Sequence, residues 1–247
     1  NLGFGRANNI GIRRSLQEDA DFVFLLNQDA SVAPDTIGTL VHCAQNNPDF
    51  GILSPLQLNG NGTDIDTDFM QYIFYGAGEF YSDLYFNRVK PVYTVPFVNA
   101  AAWLVTRRCL EQVGGFDPLF FLYAEDDDFC NRATFHGFKT GMVPSAIAYH
   151  SRSRNPNVQQ SRWQNLQKRS NRLVSSMVLE LKRPFNPLLN QLLLLGVDTA
   201  HKGMQYILRG DRHGLAALVL ATLSITVRLP KVCRHRRMSM TAGSHWL

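Results

Sequence analysis

Residues 22–30 read FVFLLNQDA, an apolar run that ends abruptly in polar residues. A continuous apolar run of this length predicts a strand buried on both faces of a parallel sheet. The polar groups of Asn27, Gln28 and Asp29 then emerge at the carboxyl end of the strand. Ligands of open α/β sheets bind at this edge, so Asp29 is placed to hold a divalent cation. The alternative interpretation is an Asp that begins a turn.

Outward from this stretch, the first 150 residues alternate between strand-like and helix-like patterns. Pro34 suits the first turn of one helix, and the acidic run at Glu125 opens another that ends at His136, with Gly137 as its C-cap. Residues 59–68 are rich in Gly, Asn and Asp and predict a loop. Further strands are predicted at residues 50–54, 101–106 and 141–150.

The remainder of the chain, residues 151–247, has apolar positions at helical spacing that are interrupted by prolines. We expect the last eight residues, MTAGSHWL, to be frayed. Helices are predicted at residues 158–181, 188–208 and 215–229, the last of them ended by Pro230.

The balance of charge also changes at about residue 150. Residues 1–150 carry 9 Lys and Arg against 17 Asp and Glu, whereas residues 151–247 carry 16 against 3, which reproduces the net charge of +5. A basic half is suited to binding phosphate groups, either of nucleic acid or of an anionic membrane surface. The alternative is that these charges only form a solvated face, as most charge runs do. Nucleic acid is the less favoured partner, because no binding motif is present and only Trp163 and Tyr206 accompany the basic residues along the helices.

Composition excludes several classes of protein. The 4 cysteines form no C-x-x-C pair, which argues against a zinc ribbon or a disulfide scaffold and favours a reducing cytoplasm. The apolar stretches are interrupted short of the roughly 20 residues that a transmembrane helix needs, and no leader pattern opens the chain. We therefore expect neither a secreted nor a membrane-spanning protein.

Four adjacent acids, Glu125 to Asp128, form the second chemical candidate. Their negative charges repel one another, which costs stability unless a bound cation or solvent screens the repulsion or the residues serve a function. The aromatic residues that precede them indicate a partly dry pocket wall, in which the pKa of a carboxylate rises towards a value useful for a general base. The alternative is that they only complement the helix dipole.

His150 and the first residues of the chain complete the candidates. His150 closes an apolar strand, where a neutral imidazole can complete a metal site that is poor in carboxylates, or serve only as a structural hydrogen-bonding residue. Residues 1–12, NLGFGRANNIGI, combine glycines that permit close backbone approach with the amides of Asn8 and Asn9. Neither a P-loop nor a G-x-S-x-G nucleophile elbow is present.

In order and spacing these motifs resemble family 2 glycosyltransferases with the GT-A fold, in the bacterial rhamnosyltransferase-like branch. The resemblance covers residues 1–150, and residues 151–247 match only in style. The resemblance implies an α/β fold, with a Rossmann-like, mostly parallel sheet flanked by helices and followed by a helical C-terminal segment. The matching pieces are NLGFGRANNIGI (1–12), FVFLLNQDA (22–30), residues 101–139 and IAYH (147–150).

The resemblance implies a role for each matching position. Asp126 would be the base that takes the proton of the acceptor hydroxyl, and Asp29 and His150 would hold the metal at the donor diphosphate. Asn27 stands where the family carries the first acid of a D-x-D-type motif. The nucleotide-sugar site would comprise Asn1, Gly3, Asn9, Asn27 and Gln28, and the acceptor or sugar pocket Trp103 and Glu125.

By the same resemblance the chain is an inverting transferase that builds a cell-surface polysaccharide. Its donor would be dTDP-rhamnose or a UDP-sugar, its acceptor a glycan or a lipid-linked glycan, and its cofactor Mg²⁺ or Mn²⁺. It would work in the cytoplasm, at the inner face of the cell membrane. The alternatives are a nucleotidyltransferase and a catalytically incomplete fragment or glycan-binding module.

Members of the family usually begin with a strand, a helix and a second strand, and these elements bind the base and ribose of the donor. The first matching motif here starts at Asn1, after those elements. Residues 1–150 are then a partial GT-A domain with an exposed sheet edge. We therefore expect the 247 residues by themselves to be unstable or inactive, and a longer parent protein to be active.

Overall fold

The structure is a computed structural model that describes residues 1–152 and 161–247. One sheet with flanking helices occupies the first part of the chain, and three long helices follow. The strands are β1 (Phe22–Leu26), β2 (Ala30–Val32), β3 (Phe50–Asn59), β4 (Tyr93–Val95), β5 (Ala102–Thr106) and β6 (Lys139–His150). The helices are α1 (Phe4–Gln17), α2 (Thr36–Asn46), α3 (Thr67–Gly76), α4 (Glu79–Tyr85), α5 (Arg107–Val113), α6 (Glu125–Phe135), α7 (Arg162–Lys182), α8 (Leu188–Leu208) and α9 (Arg212–Ser239).

The α/β class and the helical C-terminal segment are confirmed, but the sheet is mixed rather than mostly parallel. Its order is β1-β5-β3-β6-β2, with β4 paired to β6. Of the strand pairings in the described residues, only β3 with β6 is parallel. The apolar run FVFLL was misleading because β1 pairs with β5 alone, with Val23 and Leu25 buried and Phe22 and Phe24 half-buried.

Each face of the sheet covers an apolar cluster. One cluster contains Trp103, whose ring stacks on Phe116 at 6.2 Å between centroids and lies 5.9 Å from Phe129. The other face packs Leu53 and Leu104 against α2. This packing fixes the strands whose ends carry the candidate residues.

The C-terminal helices are joined to the sheet domain by a buried ionic network. Lys182 of α7 donates to Asp117 and, at 2.7 Å, to Asp128 of α6. His235 of α9 lies 2.7 Å from Asp117, and Arg132 donates to Asp128 at 2.8 Å. The network therefore anchors α6, the helix of the acidic run, to α7 and α9.

Two expectations for the end of the chain are wrong. α9 continues through Pro230 to Ser239, because the turns beyond the proline are held by tertiary contacts, among them a hydrogen bond from Arg236 to Leu181 O at 2.9 Å. The final residues are packed rather than frayed: Gly243 donates to Gln112 O at 2.9 Å, and Trp246 stacks on His235. Of the predicted helix 158–181, residues 158–160 lie outside the described residues.

One helix among the described residues is long and apolar enough to cross a membrane. α9 contains an 18-residue window of mean hydropathy 1.6, of which 28% is buried. The expectation that no segment reaches this length is therefore wrong. Core helices can meet the same criterion, so length and composition alone assign no span.

Candidate functional site

The carboxyl ends of β3 and β6 meet the amino end of β2 at one edge of the sheet. The parallel register of β3 and β6 places Asn59 opposite His150, and the antiparallel register of β2 places Ala30 opposite the same histidine. Asp29 directly precedes Ala30 and accepts a backbone hydrogen bond from Ser151 at 2.8 Å. The predicted proximity of Asp29 and His150 is thus present in the fold.

The Asp29–His150 pair has a geometry that fits a shared cation. Asp29 Oδ1 lies 3.5 Å from His150 Nε2, longer than an ordinary hydrogen bond. The His150 side chain is 7% exposed, and its Nδ1 has no hydrogen-bond partner in the described part of the chain. No group of three or more His, Cys, Asp or Glu with metal-binding geometry occurs within residues 1–152 and 161–247. Mg²⁺ is often held by one or two protein ligands together with substrate phosphates, so the pair is compatible with such a site.

An open cavity of about 590 Å³ lies beside His150. Arg152 lines it and binds both carboxylate oxygens of Asp66, at 2.8 and 3.0 Å, as well as Asp68. Asp66 also caps α3 by accepting from Phe69 N–H at 3.0 Å. The sequence does not reveal this cluster, because residues 59–68 predict only a loop and the partners lie 84 or more positions apart.

The acidic run begins α6 directly after an irregular turn. Tyr123 and Ala124 both have left-handed backbones, with φ of 72° and 70°, which L-residues adopt at a cost. Asp126 Oδ1 accepts from Asp127 N–H at 3.0 Å, and Ala100 N–H also bonds the Asp126 carboxylate. The turn and these hydrogen bonds fix Asp126 beside the segment that leads into β5.

Burial sets the protonation of this run. It raises the pKa of Asp126, and together with the charge of Asp126 it raises the pKa of Glu125 to about 7 and that of Asp127 to about 7. Asp128 differs, because its carboxylate is bound by Arg132 and Lys182 in the buried network. The four acids therefore differ: the pKa values of Glu125, Asp126 and Asp127 are raised, whereas Asp128 belongs to the buried ionic network.

The acidic run and the His150 cavity lie at the same edge of the sheet, because β5 runs antiparallel to β3 and so begins where β3 and β6 end. Asn27 N–H donates to Ala101 O at 2.9 Å, next to the Ala100 N–H that bonds Asp126. The pKa of the Tyr72 phenol responds to charges from both places. Burial and the charges of Asp68 and Asp126 raise it. Arg152, which lines the cavity, lowers the pKa of that phenol. Tyr72 therefore lies within electrostatic range of Asp126 and of the cavity residues Asp68 and Arg152.

Two of the predicted site residues are structural. Trp103 is fully buried in the core, so it cannot line a sugar pocket. Asn9 is 5% exposed, and its amide donates to Phe116 O and accepts from Phe116 N–H, both at 2.8 Å. The Asn9 amide is therefore buried and holds α1 to the backbone of Phe116 instead of facing a nucleotide. For Asn1, Gly3, Asn27 and Gln28 the nucleotide-binding role stays a prediction.

Residues 2–175 match the family model described as "Glycosyltransferase like family 2". The chain belongs to this family. The matched region contains the Asp29–His150 edge and the acidic run, and it extends into α7.

Two curated relatives match this family 2 chain. The "Low-salt glycan biosynthesis hexosyltransferase Agl10" of Haloferax volcanii is 26% identical over 67% of the chain and 52% of the relative. The "N-acetylglucosaminyl-diphospho-decaprenol L-rhamnosyltransferase" of Mycobacterium tuberculosis is 28% identical over 62% of the chain and 57% of the relative. The chain thus spans little more than half the length of these relatives.

Solved glycosyltransferase structures resemble the family 2 chain more distantly. The mannosyltransferase PcManGT of Pyrobaculum calidifontis, in complex with GDP-Man and Mn²⁺, superposes with a TM-score of 0.46 at 14% identity, covering 94% of this chain and 59% of the mannosyltransferase. GalNAc-T7 with UDP, GalNAc and Mn²⁺ gives 0.44 at 13% identity, covering 71% of this chain and 37% of GalNAc-T7.

Proposed function

We propose that this chain forms the catalytic part of an inverting glycosyltransferase that moves a sugar from a nucleoside diphosphate to an acceptor hydroxyl. Two observations support the proposal: the Asp29–His150 pair at the carboxyl end of β6, and the bond of Asp126 to Ala100 just before β5, which begins at the same edge of the sheet. Residues 1–150 would supply the chemistry, and residues 151–247 would supply the helical support.

In this reaction the acceptor oxygen attacks the anomeric carbon as the bond from that carbon to the diphosphate oxygen breaks. The bonding electron pair leaves with the diphosphate, and the proton of the hydroxyl moves to Asp126. Attack from the face opposite the leaving group inverts the anomeric configuration. Burial raises the pKa of Asp126, which makes its carboxylate a better proton acceptor than an exposed aspartate.

Asp29 and His150 would hold a divalent cation, Mg²⁺ or Mn²⁺, against the donor diphosphate. Such a cation, when bound, neutralises the charge that develops on the leaving group. Because residue 27 is Asn rather than Asp, the chain would contribute few anionic ligands, and the phosphates would supply the others.

We also propose a dTDP-rhamnose or UDP-sugar donor and a lipid-linked glycan acceptor, as in the synthesis of a cell-surface polysaccharide. Support for rhamnose and for a lipid diphosphate comes from the name of the mycobacterial relative. The name of the Haloferax relative supports a hexosyl donor equally well.

A donor titration with product analysis tests this function. Nucleoside diphosphate binding is expected to tighten when Mn²⁺ or Mg²⁺ is added, and Asp29→Asn to lose about 10- to 100-fold of that gain. Asp49→Asn, an exposed acid paired with Lys139, is the control and should bind like the wild type. Binding that ignores the cation would contradict the metal site.

The products of the same titration discriminate among the alternatives. A transferase releases nucleoside diphosphate together with a glycosylated acceptor. A nucleotidyltransferase leaves the nucleotide sugar intact until inorganic diphosphate is added, and then converts the two into nucleoside triphosphate and sugar 1-phosphate. A glycan-binding module would leave the donor unconsumed, and either of these results would refute the proposed function.

We further propose that the protein works on the cytoplasmic side of the cell membrane, on an anionic lipid surface. Within α8 the structure buries only Gln191 completely. Eleven large apolar side chains on the two last helices are more than 40% exposed, and the surrounding half of the chain carries 16 cations against 3 acids. The combination suits an interfacial helix pair. The exposed residues are Leu189, Leu193, Leu194, Val197, Met204, Ile207, Leu208, Val219, Leu220, Leu223 and Val227.

Vesicle co-sedimentation tests this location. Leu193→Glu with Val197→Glu is expected to weaken binding to phosphatidylglycerol vesicles by at least about tenfold, because two apolar anchors become charged. Leu84→Glu, on α4 and 51% exposed, is the matched control and should bind like the wild type. Equal binding of all three proteins, or no binding to anionic vesicles, would contradict the proposed location.

A further inference from the structure

A second groove runs between α7 and the loop that precedes the acidic run. It encloses about 560 Å³, and its walls include Leu122, Tyr123 and Val178. Ser175 Oγ of α7 bonds Leu122 O at 3.5 Å, which holds the loop to the helix at the floor of the groove. Only Ala124 and Glu125 separate the groove residue Tyr123 from Asp126.

The polar side of this groove is cationic. Lys168 and Arg172 lie one turn apart on α7, and Arg228 of α9 also lines the groove. No carboxylate is among the lining residues, and within the described residues none of the three cations has an acidic partner. Residues 153–160, SRNPNVQQ, contain no Asp or Glu. Three uncompensated cations around one cleft favour a polyanionic group such as a diphosphate.

The loop residues that line the groove are apolar, and they are exposed to solvent. Phe121, Leu122 and Tyr123 are 59%, 47% and 48% exposed, although large apolar residues of this kind are ordinarily covered. Arg172 lies over the Tyr123 ring at 5.2 Å, so the apolar wall and the cationic wall touch. A ligand that fits both walls combines a hydrocarbon chain with phosphate.

We propose that this groove binds the polyprenyl diphosphate end of the acceptor, with its phosphates on Lys168, Arg172 and Arg228 and its first isoprene units on Leu122 and Tyr123. The assignment rests on the proposed transferase function and adds the place where the acceptor is held. A nucleoside diphosphate fits less well, since it has no hydrocarbon chain for the exposed wall, and the Asp29–His150 edge is already suited to it. A lipid held here directs its attached sugar towards the start of α6, where Asp126 lies.

Calorimetric titration with farnesyl diphosphate, a short soluble polyprenyl diphosphate, tests the groove. The wild-type protein is expected to bind farnesyl diphosphate at least about tenfold more tightly than either farnesol or inorganic diphosphate, because only farnesyl diphosphate contacts both the apolar and the cationic wall. Arg172→Gln with Arg228→Gln should lose about tenfold or more of this affinity. Leu122→Gln should weaken the binding of farnesyl diphosphate while leaving the affinity for inorganic diphosphate unchanged.

The control is Arg162→Gln with Lys231→Gln, which removes the same charge from the same two helices outside the groove. This protein should bind farnesyl diphosphate like the wild type. Equal losses in both double variants, unchanged binding in the groove variant, or inorganic diphosphate binding as tightly as farnesyl diphosphate would each overturn the proposal. Thermal melting of each variant verifies that it is folded.

Donor binding in the same proteins separates the two proposals. Arg172→Gln with Arg228→Gln should retain cation-dependent nucleotide binding, which Asp29→Asn loses. If the groove variant binds farnesyl diphosphate normally while sugar transfer proceeds, the groove assignment fails and the function stands. If the groove behaves as proposed but no sugar is transferred from any donor, the transferase function fails instead.

Discussion

Replacing Asp126 with Asn is expected to abolish sugar transfer while donor binding remains. The amide cannot accept the proton of the attacking hydroxyl, and loss of a general base lowers turnover by about 10²- to 10⁴-fold. Asn is nearly isosteric with Asp, and its amide oxygen can still accept the hydrogen bond from Asp127 N–H, so the start of α6 should keep its shape. Steady-state transfer assays, in a protein that contains the whole chain, measure the change.

The pH profile supplies a second readout for Asp126. Since burial raises its pKa, the rate should begin to fall on acidification at a higher pH than the ordinary aspartate pKa of about 4 implies. Asp49→Asn should leave both turnover and profile unchanged, as its carboxylate is exposed and paired with Lys139. Undiminished turnover in Asp126→Asn would dispose of the base assignment.

Replacing Lys182 with Met is expected to destabilise the fold by about 3–5 kcal/mol. The Lys182 and Asp117 side chains are fully buried and that of Asp128 is 3% exposed. Removal of the ammonium therefore leaves two carboxylates short of a partner, where water cannot replace it. Urea denaturation measures the free energy of unfolding of the variant and of the wild type.

Lys202→Met is the matched control, because Lys202 pairs with Asp198 on the exposed side of α8. An exposed pair contributes about 0–1 kcal/mol, so this variant should unfold at nearly the wild-type denaturant concentration. Similar losses for the two substitutions would show that the buried network contributes little.

Acid should act on the same network. Burial by itself would raise the pKa of Asp117, but Lys182 and His235 outweigh it and hold that pKa well below the ordinary range. The unfolded chain therefore binds a proton before the folded one does, and stability is lost as pH falls below about 4.

The strand ends and the acidic helix are predictable from sequence because they depend on local patterns. An apolar run followed by polar residues locates Asp29, and an acidic run closed by Gly137 locates α6. The pairing of β1 with β5 is not local, so the run FVFLL does not reveal that β1 has a single sheet partner among the described residues and that this partner is antiparallel.

The remaining site residues depend on contacts between distant segments. Arg152 reaches Asp66 across 86 positions, and no periodicity in residues 59–99 marks the carboxylate as a partner. Trp103 resembles a pocket aromatic in sequence, yet its neighbours in space make it a core residue. Pro230 predicts a helix end that the packing of Arg236 overrides.

Asp126 and Asp128 are two positions apart on α6, which turns about 100° per residue and so directs them to opposite sides. One carboxylate is bonded by the segment before β5, and the other by Arg132 and Lys182. Alanine scanning of the four acids should consequently give different phenotypes for similar residues. Substitution of Asp126 should leave a folded protein without activity, and substitution of Asp128 should leave a protein that accumulates poorly.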